Sequence, residues 1–218
     1  MRQGLERVRR VLIVAPHPDD EAIAAWGLMD WLRRRGARIA VLVVSDGAAS
    51  HPGSPSWPIN RLVAERRRET LRAVRQLGMI PSDVAFLGLA DGALDRDPLL
   101  VRRVLGRALR RRPSPDLIVS PEVEDAHADH RAVASAIDTL RRHGERRISY
   151  HVWPAFAARG PRRHGVILKG AALAAKRRII RSYRTQAGRI TDAPTGFIMT
   201  HEHVRAFARP RERFAVRA

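Results

Sequence analysis

Two short segments, far apart in the chain, each place histidines among carboxylates. Residues 16–21 read Pro-His-Pro-Asp-Asp-Glu, and residues 125–130 read Asp-Ala-His-Ala-Asp-His. Neutral imidazole and carboxylate are ligands that zinc and its neighbours in the first transition row accept. The chain has 41 basic residues against 22 acidic ones, yet seven of the acidic residues lie in or beside the two segments: Asp19, Asp20, Glu21, Glu122, Glu124, Asp125 and Asp129. This concentration predicts that the segments hold a cation.

The spacing within each segment suits a shared metal ion. His17 and Asp20 are three residues apart, and in a tight turn or a first helical turn that spacing puts two side chains on one face. His127 and His130 repeat the spacing. One ion can then take His17, Asp20 and one histidine of the second segment, with a position left for water, as in catalytic zinc sites. Such an ion lowers the pKa of its water toward about 7 and polarises a substrate carbonyl.

The side chains that do not bind the ion have roles to fill. Asp19 is expected to remain free as a general base beside the water. The unused histidine of the second segment could donate to a developing oxyanion or protonate a leaving amine. The competing interpretation is that Asp19, Asp20, Glu21 and Asp129 simply favour the positive ends of the following helices. Two such segments, each directly after a predicted strand, favour the catalytic interpretation.

The composition limits the classes of protein and of site. The hydrophobic content of 44% supports a real core, and 218 residues fit a single domain, 1–218. The absence of cysteine excludes disulfides, thiolate zinc sites and cysteine nucleophiles, so His, Asp or Glu must hold any metal. The apolar run over residues 11–15 is too short for the core of a signal peptide or for a membrane span. We therefore expect a soluble, cytoplasmic protein.

The net charge of +19 comes almost entirely from arginine. A basic surface attracts nucleic acid, anionic lipid or anionic sugars. The arginines, however, spread along nearly every predicted helix, and aromatic residues make up only 5% of the chain, which disfavours a stacking platform for single strands. A general preference for arginine explains the charge better than nucleic-acid binding does. The alternative interpretation is a basic α/β nucleic-acid-binding protein whose His/Asp loops are structural. The sequence does not decide whether the chain forms a homo-oligomer.

Short apolar strands alternate with amphipathic helices along the chain. This alternation predicts an α/β fold of three layers, with a mainly parallel sheet covered on both faces. Strands are expected at 11–15, 39–44, 84–87, 117–120 and 148–153, helices at about 21–35, 60–77, 98–112, 132–142 and 173–186, and an irregular tail over 201–218. Ligands bind at the carboxyl ends of such strands. Both His/Asp segments, the turn 45–47 and the loop with Asp91 follow strands, so four loops should converge on one edge.

At these residues the chain resembles the PIG-L/LmbE-like family of zinc-dependent N-acetylglucosaminyl deacetylases. Residues 14–21, Val-Ala-Pro-His-Pro-Asp-Asp-Glu, are similar to the first motif of the family, and residues 127–130 to its His-Pro-Asp-His motif, with Ala128 in place of proline. Weaker similarities extend over nearly the whole chain: Ser45 to Gly47, Arg66 with Glu69, and Lys176 with Tyr183 to Gln186. The resemblance implies a Rossmann-like fold.

The resemblance also implies a role for eight residues: metal ligands His17, Asp20 and His130, general base Asp19, electrophile or acid His127 tuned by Asp129, and sugar-hydroxyl contacts Arg66 and Asp91. It implies Zn²⁺ as cofactor; Fe²⁺, Co²⁺ and Mn²⁺ are alternatives, because His and carboxylate ligands discriminate poorly among these ions. The implied reaction is hydrolysis of the acetamide of an N-acetylated amino sugar or a glycoconjugate that carries one. A hydrolase of the same fold that acts on another amide is the nearest alternative.

Overall fold

A seven-stranded sheet organises the computed structural model, which describes residues 5–140, 144–155 and 164–217. Its strands are β1 (Arg10–Ala15), β2 (Arg38–Ser45), β3 (Val84–Leu89), β4 (Leu117–Pro121), β5 (Arg146–Tyr150), β6 (His164–Ile167) and β7 (Arg211–Arg217). They lie in the order β3-β2-β1-β4-β5-β7-β6. Strands β1 to β5 pair in parallel, whereas β7 runs antiparallel to β5 and to β6.

The central strand β1 shows why the sequence carries continuous apolar runs. Every residue of β1 after Arg10 is buried. Ile13 and Ala15 pack in one core cluster, and Leu12 and Val14 pack in another, on the opposite face. Because helices cover both faces of a parallel sheet, its strands need apolar side chains at successive positions instead of at alternate ones.

Six helices surround the sheet within the described residues. They are α1 (Asp20–Arg33), α2 (Ile59–Arg75), α3 (Pro98–Arg110), α4 (Ala128–Thr139), α5 (Gly170–Ser182) and α6 (His201–Phe207). Side chains of α3 and α4 join the core cluster of Leu12, and side chains of α1, α2, α5 and α6 join that of Ile13. The predicted three-layer, Rossmann-like α/β fold is thus confirmed. No helix in the described ranges is long and apolar enough to cross a membrane.

The order of the strands reverses between β1 and β4. The chain moves from β1 to β2 and β3 on one side, and then returns to place β4 and β5 on the other side of β1. The crossovers therefore leave in opposite directions, and a crevice opens beyond the carboxyl ends of β1 and β4. The first His/Asp segment follows β1 and the second follows β4, so this crevice brings together two segments that lie more than 100 residues apart.

The prediction of an irregular tail over residues 201–218 was wrong. Residues 201–207 form α6, and residues 211–217 form β7 inside the sheet. The strand β7 reads Arg-Glu-Arg-Phe-Ala-Val-Arg, and its charged residues interrupt the apolar pattern that would predict a strand. Glu212 is buried although it is charged. The short strand β6 was not predicted either.

Two further boundaries differ from the prediction. The helix expected at about 132–142 begins earlier, at Ala128, because the histidine before it serves as its N-cap; residues 141–142 lie outside the described ranges. The strand expected over 148–153 ends at Tyr150. The backbone N–H groups of Val152 and Trp153 donate instead to Asp125 Oδ2, at 2.7 and 3.0 Å, which turns the chain away from the sheet.

A buried ion pair ties the late part of the chain to α1. Lys176 Nζ lies 2.7 Å from Glu212 Oε1, and both side chains are almost fully buried. The Glu212 carboxylate also accepts hydrogen bonds from the N–H groups of Gly27 and Leu28, at 2.7 and 2.8 Å. Lys176, which the resemblance also singles out, thus joins α5 to β7, and Glu212 joins β7 to α1; neither residue lines the cavity at the two His/Asp segments.

The change Glu212→Gln is expected to lower the free energy of unfolding by about 3–5 kcal/mol, because it leaves the Lys176 ammonium buried without its counter-charge. Urea denaturation measures the loss. The exposed residue Glu202 offers a matched control, since Glu202→Gln should shift the midpoint little. Combining Glu212→Gln with Lys176→Met should recover part of the stability. A single variant as stable as the wild type would show that the pair contributes nothing.

Candidate active site

The first segment makes a strained turn between β1 and α1. Asp19 has a φ of +135°, and it is the only non-glycine residue with positive φ in the described part of the chain. Such a conformation costs about 1–3 kcal/mol and persists where the surroundings over-determine it. The N–H of His17 donates to Asp20 Oδ2 at 2.9 Å, and the N–H of Asp19 donates to Glu21 Oε2 at 3.2 Å. The turn separates the two aspartates, with Asp20 directed to the histidines and Asp19 to Arg66.

The second segment is shaped by its own side chains. His127 is the N-cap of α4, and its Nδ1 accepts the N–H of Asp129 at 3.2 Å. Asp125 Oδ1 accepts the N–H of His127 at 3.0 Å. Histidine is an unusual N-cap, so no ordinary capping residue marks the start of a helix here. The early start puts His130 in the first turn of α4, where it is fully buried.

Three donor atoms of the two segments converge on one point. His17 Nδ1 lies 3.3 Å from Asp20 Oδ2, His130 Nε2 lies 3.2 Å from the same oxygen, and the two nitrogens are 3.3 Å apart. A tetrahedral ion with bonds of about 2.0–2.1 Å holds its ligand atoms about 3.3–3.4 Å apart. The triangle therefore fits one divalent ion of the size and ligand preference of zinc, with the fourth position open. These three residues are the ones that the resemblance implied.

The electrostatics of the cluster favour a positive charge at this point. Burial by itself would lower the pKa of His17 and of His130, but the surrounding carboxylates raise the former well above its usual value and the latter to about 9. Burial would raise the pKa of Asp20, yet the charge of His130 and the hydrogen bonds to the histidines lower it strongly. A site that holds protons this firmly also attracts a metal cation, and the two compete for the same atoms.

The other nitrogen of His17 faces two carboxylates. His17 Nε2 lies 3.1 Å from Asp129 Oδ2 and 3.2 Å from Asp91 Oδ1. The Asp129 carboxylate is held in turn by the N–H groups of Gly92 and Leu94, at 2.8 and 3.0 Å. The resemblance implied that Asp129 tunes His127. The charge of Asp129 does act to raise the pKa of His127, but its carboxylate contacts His17, and its backbone N–H donates to the His127 ring. Asp91, predicted to hold a sugar hydroxyl, also orients His17.

The sequence reasoning missed the role of Asp125. Its Oδ2 lies 3.3 Å from His130 Nδ1 and accepts the N–H groups of Val152 and Trp153. Burial would raise the pKa of Asp125, but the contact with His130 and hydrogen bonds from backbone N–H groups lower it below its usual value. A carboxylate behind a metal-binding histidine fixes the ring and raises its basicity. The position of Asp125 five residues before His130 was the available signal.

Replacing Asp125 by asparagine is expected to weaken metal affinity about 10–100-fold, the range usual for outer-shell partners of metal-bound histidines. Titration with zinc against a competing chelator measures the affinity. The exposed residue Asp95 supplies the control, because Asp95→Asn makes the same change of charge on a side chain that does not line the cavity. An unchanged affinity in Asp125→Asn would show that the contact with His130 does not support the metal.

Arg66 and Asp19 form a buried pair beside the triangle. Arg66 donates to the carbonyl of Pro18 at 2.7 Å and lies 3.3 Å from Asp19 Oδ2. Burial raises the pKa of Asp19 to about 8, although the Arg66 charge opposes the shift. Gly47 allows this approach, because its φ is +73° and a Cβ there would lie 2.8 Å from Arg66 Nε. Arg66 is therefore a buried side chain of the site and not a solvated helix arginine.

The cluster opens into a cavity of about 420 Å³. Six of the eight predicted site residues line it, and Asp129 and His130 lie behind them. The remaining lining is partly apolar, with Ile23, Trp153 and Phe197, and partly polar. Gln186 Nε2 and Arg66 Nε are buried there and have no hydrogen-bond partner among the described residues. Buried donors of this kind call for a partner, which a bound ligand or water can supply.

Solved structures share this architecture. N,N'-diacetylchitobiose deacetylase from Pyrococcus horikoshii superposes with a TM-score of 0.77 at 22% identity, covering 99% of this chain and 86% of that one. At this level of identity the likeness shows the fold alone. This chain thus shares its overall fold with a protein of known structure.

Two curated relatives are similar in sequence over 61% of this chain. The probable N-acetyl-alpha-D-glucosaminyl L-malate deacetylase 2 of Bacillus anthracis is 30% identical over 137 residues, and the 2'-N-acetylparomamine deacetylase of Streptomyces fradiae is 31% identical over 150 residues. The matched regions cover 59% and 53% of those proteins, so the chain matches less than two thirds of the length of either.

The family comparison covers the part of the chain that carries both His/Asp segments. The sequence model of the PIG-L family, described as GlcNAc-PI de-N-acetylase, matches residues 12–140, which is more than half of the chain. This span includes most of β1, all of β2 to β4, the donor triangle, Arg66 and Asp91. The chain belongs to the PIG-L family.

Proposed function

We propose that this protein is a metal-dependent deacetylase that hydrolyses the acetamide of an N-acetylated amino sugar. The observation that carries the proposal is the triangle of His17 Nδ1, Asp20 Oδ2 and His130 Nε2, open to a cavity beside a separate carboxylate and a separate histidine. A structural metal site has four protein ligands and needs no cavity. Three ligands, a cavity and two further acid–base groups suit hydrolysis.

His17, Asp20 and His130 would hold the ion, for which we propose zinc. When bound, the ion supplies Lewis acidity that lowers the pKa of a water molecule and polarises the acetamide carbonyl. The chain supplies the geometry. Asp129 and Asp91 hold the His17 ring from its other nitrogen, and Asp125 does the same for His130, so both rings are oriented before the substrate arrives.

Asp19 would accept the proton of the attacking water. Its carboxylate lies next to the triangle but outside it, and Arg66 fixes one of its oxygens. Burial raises the pKa of Asp19 to about 8, which makes it a stronger base than an exposed aspartate. The positive charge of a bound ion opposes this shift, because it favours the ionised carboxylate.

His127 would act as the electrophile that the resemblance implied, from the wall of the same cavity. Its Nδ1 accepts the Asp129 N–H, so the neutral ring carries its proton on Nε2. Burial, followed by the charges of His17 and His130, lowers the pKa of His127, which favours this neutral form. The ring can then donate a hydrogen bond from Nε2 to the oxygen that gains negative charge, and the proton that Asp19 takes from the water can pass to the departing amine.

An amino sugar as substrate is supported by the relatives and by the polar lining. The similar proteins are deacetylases of N-acetyl-glucosaminyl malate, N-acetylparomamine and N,N'-diacetylchitobiose, which all contain an N-acetylated amino sugar. In this chain Arg66, Asp91 and Gln186 bring polar atoms to the cavity wall, where sugar hydroxyls could pair with them. The predicted cytoplasmic location stays a prediction.

Metal analysis combined with acetate release tests the proposal. The protein, purified without an affinity tag, should carry about one divalent ion per chain and release acetate from N-acetylglucosamine derivatives. Chelation should stop the release, and zinc should restore it. A protein that takes up no metal, or that binds nucleic acid with a steep salt dependence and releases no acetate, would support the nucleic-acid alternative. Turnover only of N-acyl compounds without a sugar would support a different amidohydrolase.

A further inference from the structure

One wall of the cavity is aromatic. The rings of Trp153 and Phe197 meet edge to face, with centroids 5.5 Å apart and an interplanar angle of 88°. Phe207 packs against Trp153 from behind, with centroids again 5.5 Å apart. Trp153 and Phe197 line the cavity and are partly exposed, whereas Phe207 is buried and does not line it. The pair therefore presents apolar surface to whatever the cavity binds.

The sheet places this wall on the opposite side of the triangle from Asp91. Trp153 follows β5, Asp91 follows β3, and the triangle lies beyond β1 and β4. Neighbouring strands lie about 4.8 Å apart, so β3 and β5 each lie roughly 10 Å from β1, on opposite sides. A substrate whose acetamide sits at the triangle and whose sugar reaches Asp91 has room on the side of Trp153 for another group.

The loops behind Phe197 hold the wall in place. The N–H of Phe197 donates to the carbonyl of Ser50 at 3.0 Å. Ser54 Oγ donates to Asp192 Oδ1 at 2.5 Å. The two loops approach so closely that a Cβ at Gly196 would lie 2.7 Å from His51 Cδ2. A surface held in its binding shape loses little further freedom when the ligand arrives.

We propose that Trp153 and Phe197 bind the apolar face of a ring attached to the amino sugar, either a second pyranose or an aryl group. The proposal rests on the proposed function and names the class of substrate, which is a glycoside with a ring-shaped aglycone. Aromatic side chains offer a flat apolar surface that suits the face of a ring. The acetyl methyl group needs far less apolar surface, and Ile23, one helical turn after Asp20, can supply it.

The test compares the phenyl and methyl glycosides of N-acetylglucosamine as substrates. The wild type should prefer the phenyl glycoside. Trp153→Leu and Phe197→Leu should each lower kcat/KM for the phenyl glycoside about tenfold, through KM, because an aromatic contact of this kind is worth about a factor of ten. For the methyl glycoside the change should stay within about twofold. N,N'-diacetylchitobiose should behave as the phenyl glycoside does.

Matched controls lie elsewhere on the molecule. Trp31 and Phe86 are also partly exposed but do not line the cavity. Trp31→Leu and Phe86→Leu should therefore leave kcat/KM unchanged for both substrates. Equal losses on the phenyl and methyl glycosides would overturn the proposal, since the wall would then support the triangle instead of the aglycone. A loss that follows the length of the N-acyl chain, and not the aglycone, would overturn it in favour of an acyl pocket.

A binding measurement separates this proposal from the proposed function. Calorimetry with the phenyl and methyl glycosides of glucosamine, the deacetylated products, requires no turnover. The phenyl glycoside should bind about tenfold more tightly to the wild type, and Trp153→Leu should remove the difference. If the wild type releases no acetate but keeps this preference, the proposed deacetylase function is refuted and the proposed role of Trp153 and Phe197 is supported. If acetate is released but the wild type binds both products equally, the wall proposal fails alone.

Discussion

Replacement of His130 by alanine is expected to abolish both metal binding and activity. His130 supplies one of three donor atoms at 3.2–3.3 Å from one another, and its ring is fully buried, so no water or neighbouring side chain can easily take its place. The loss of affinity should exceed the roughly 10–100-fold caused by outer-shell changes. Elemental analysis after dialysis measures the bound metal, and an assay of acetate release measures the activity.

The exposed histidine His201 gives a matched control for this prediction. It begins α6, far along the chain from either His/Asp segment, and His201→Ala should keep both the metal and the activity. Circular dichroism should show that His130→Ala is folded. Normal metal content in a folded His130→Ala protein would refute the assignment of the triangle, because the remaining pair would then suffice.

Asp19→Asn is expected to keep the metal and to lower kcat by about 10²–10⁴-fold, the usual contribution of a positioned general base. The change preserves the shape of the side chain, and the amide can still accept from Arg66, but it cannot take a proton from water. Asp20→Asn should do the reverse, because Asp20 Oδ2 is a corner of the triangle. It should weaken metal affinity, and excess metal should restore part of the activity.

The pH profile gives a second measurement of the same role. A base must be ionised to act, so activity should rise with pH through the apparent pKa and be lost as the pH falls below it. Burial raises the pKa of Asp19 to about 8, and a bound cation lowers it, so the acidic limb should have its midpoint below about 8. That midpoint belongs to Asp19 and the water together. If Asp19→Asn loses the metal and Asp20→Asn retains it, the two roles are exchanged.

The sequence alone was enough to predict the fold class and the place of the site. Buried parallel strands need continuous apolar runs, and the helices that cover them need one apolar face. Both kinds of element can therefore be recognised from a short stretch of sequence. The spacing His17–Asp20 is equally local, since a turn of four residues decides whether the two side chains meet. Because parallel strands direct their carboxyl ends to one edge, the loops that carry the site residues could be assigned to that edge in advance.

Contacts between distant residues were decided only by the tertiary structure. Asp129 faces His17 across 112 positions of sequence, although its neighbour His127 was the expected partner. Asp125 holds His130 because β5 ends early and Val152 and Trp153 donate to its carboxylate.

The same holds for the last strand and for the aromatic wall. Strand β7 lacks the apolar pattern of a buried strand because its buried residue Glu212 pairs with Lys176. No local sequence rule indicates this ion pair. The wall of Trp153 and Phe197 joins a loop after β5 to a loop some 40 residues later. A local pattern records which face of its own element is apolar, but not which distant atom neutralises a buried charge or covers a ring. Those pairings depend on how the layers pack.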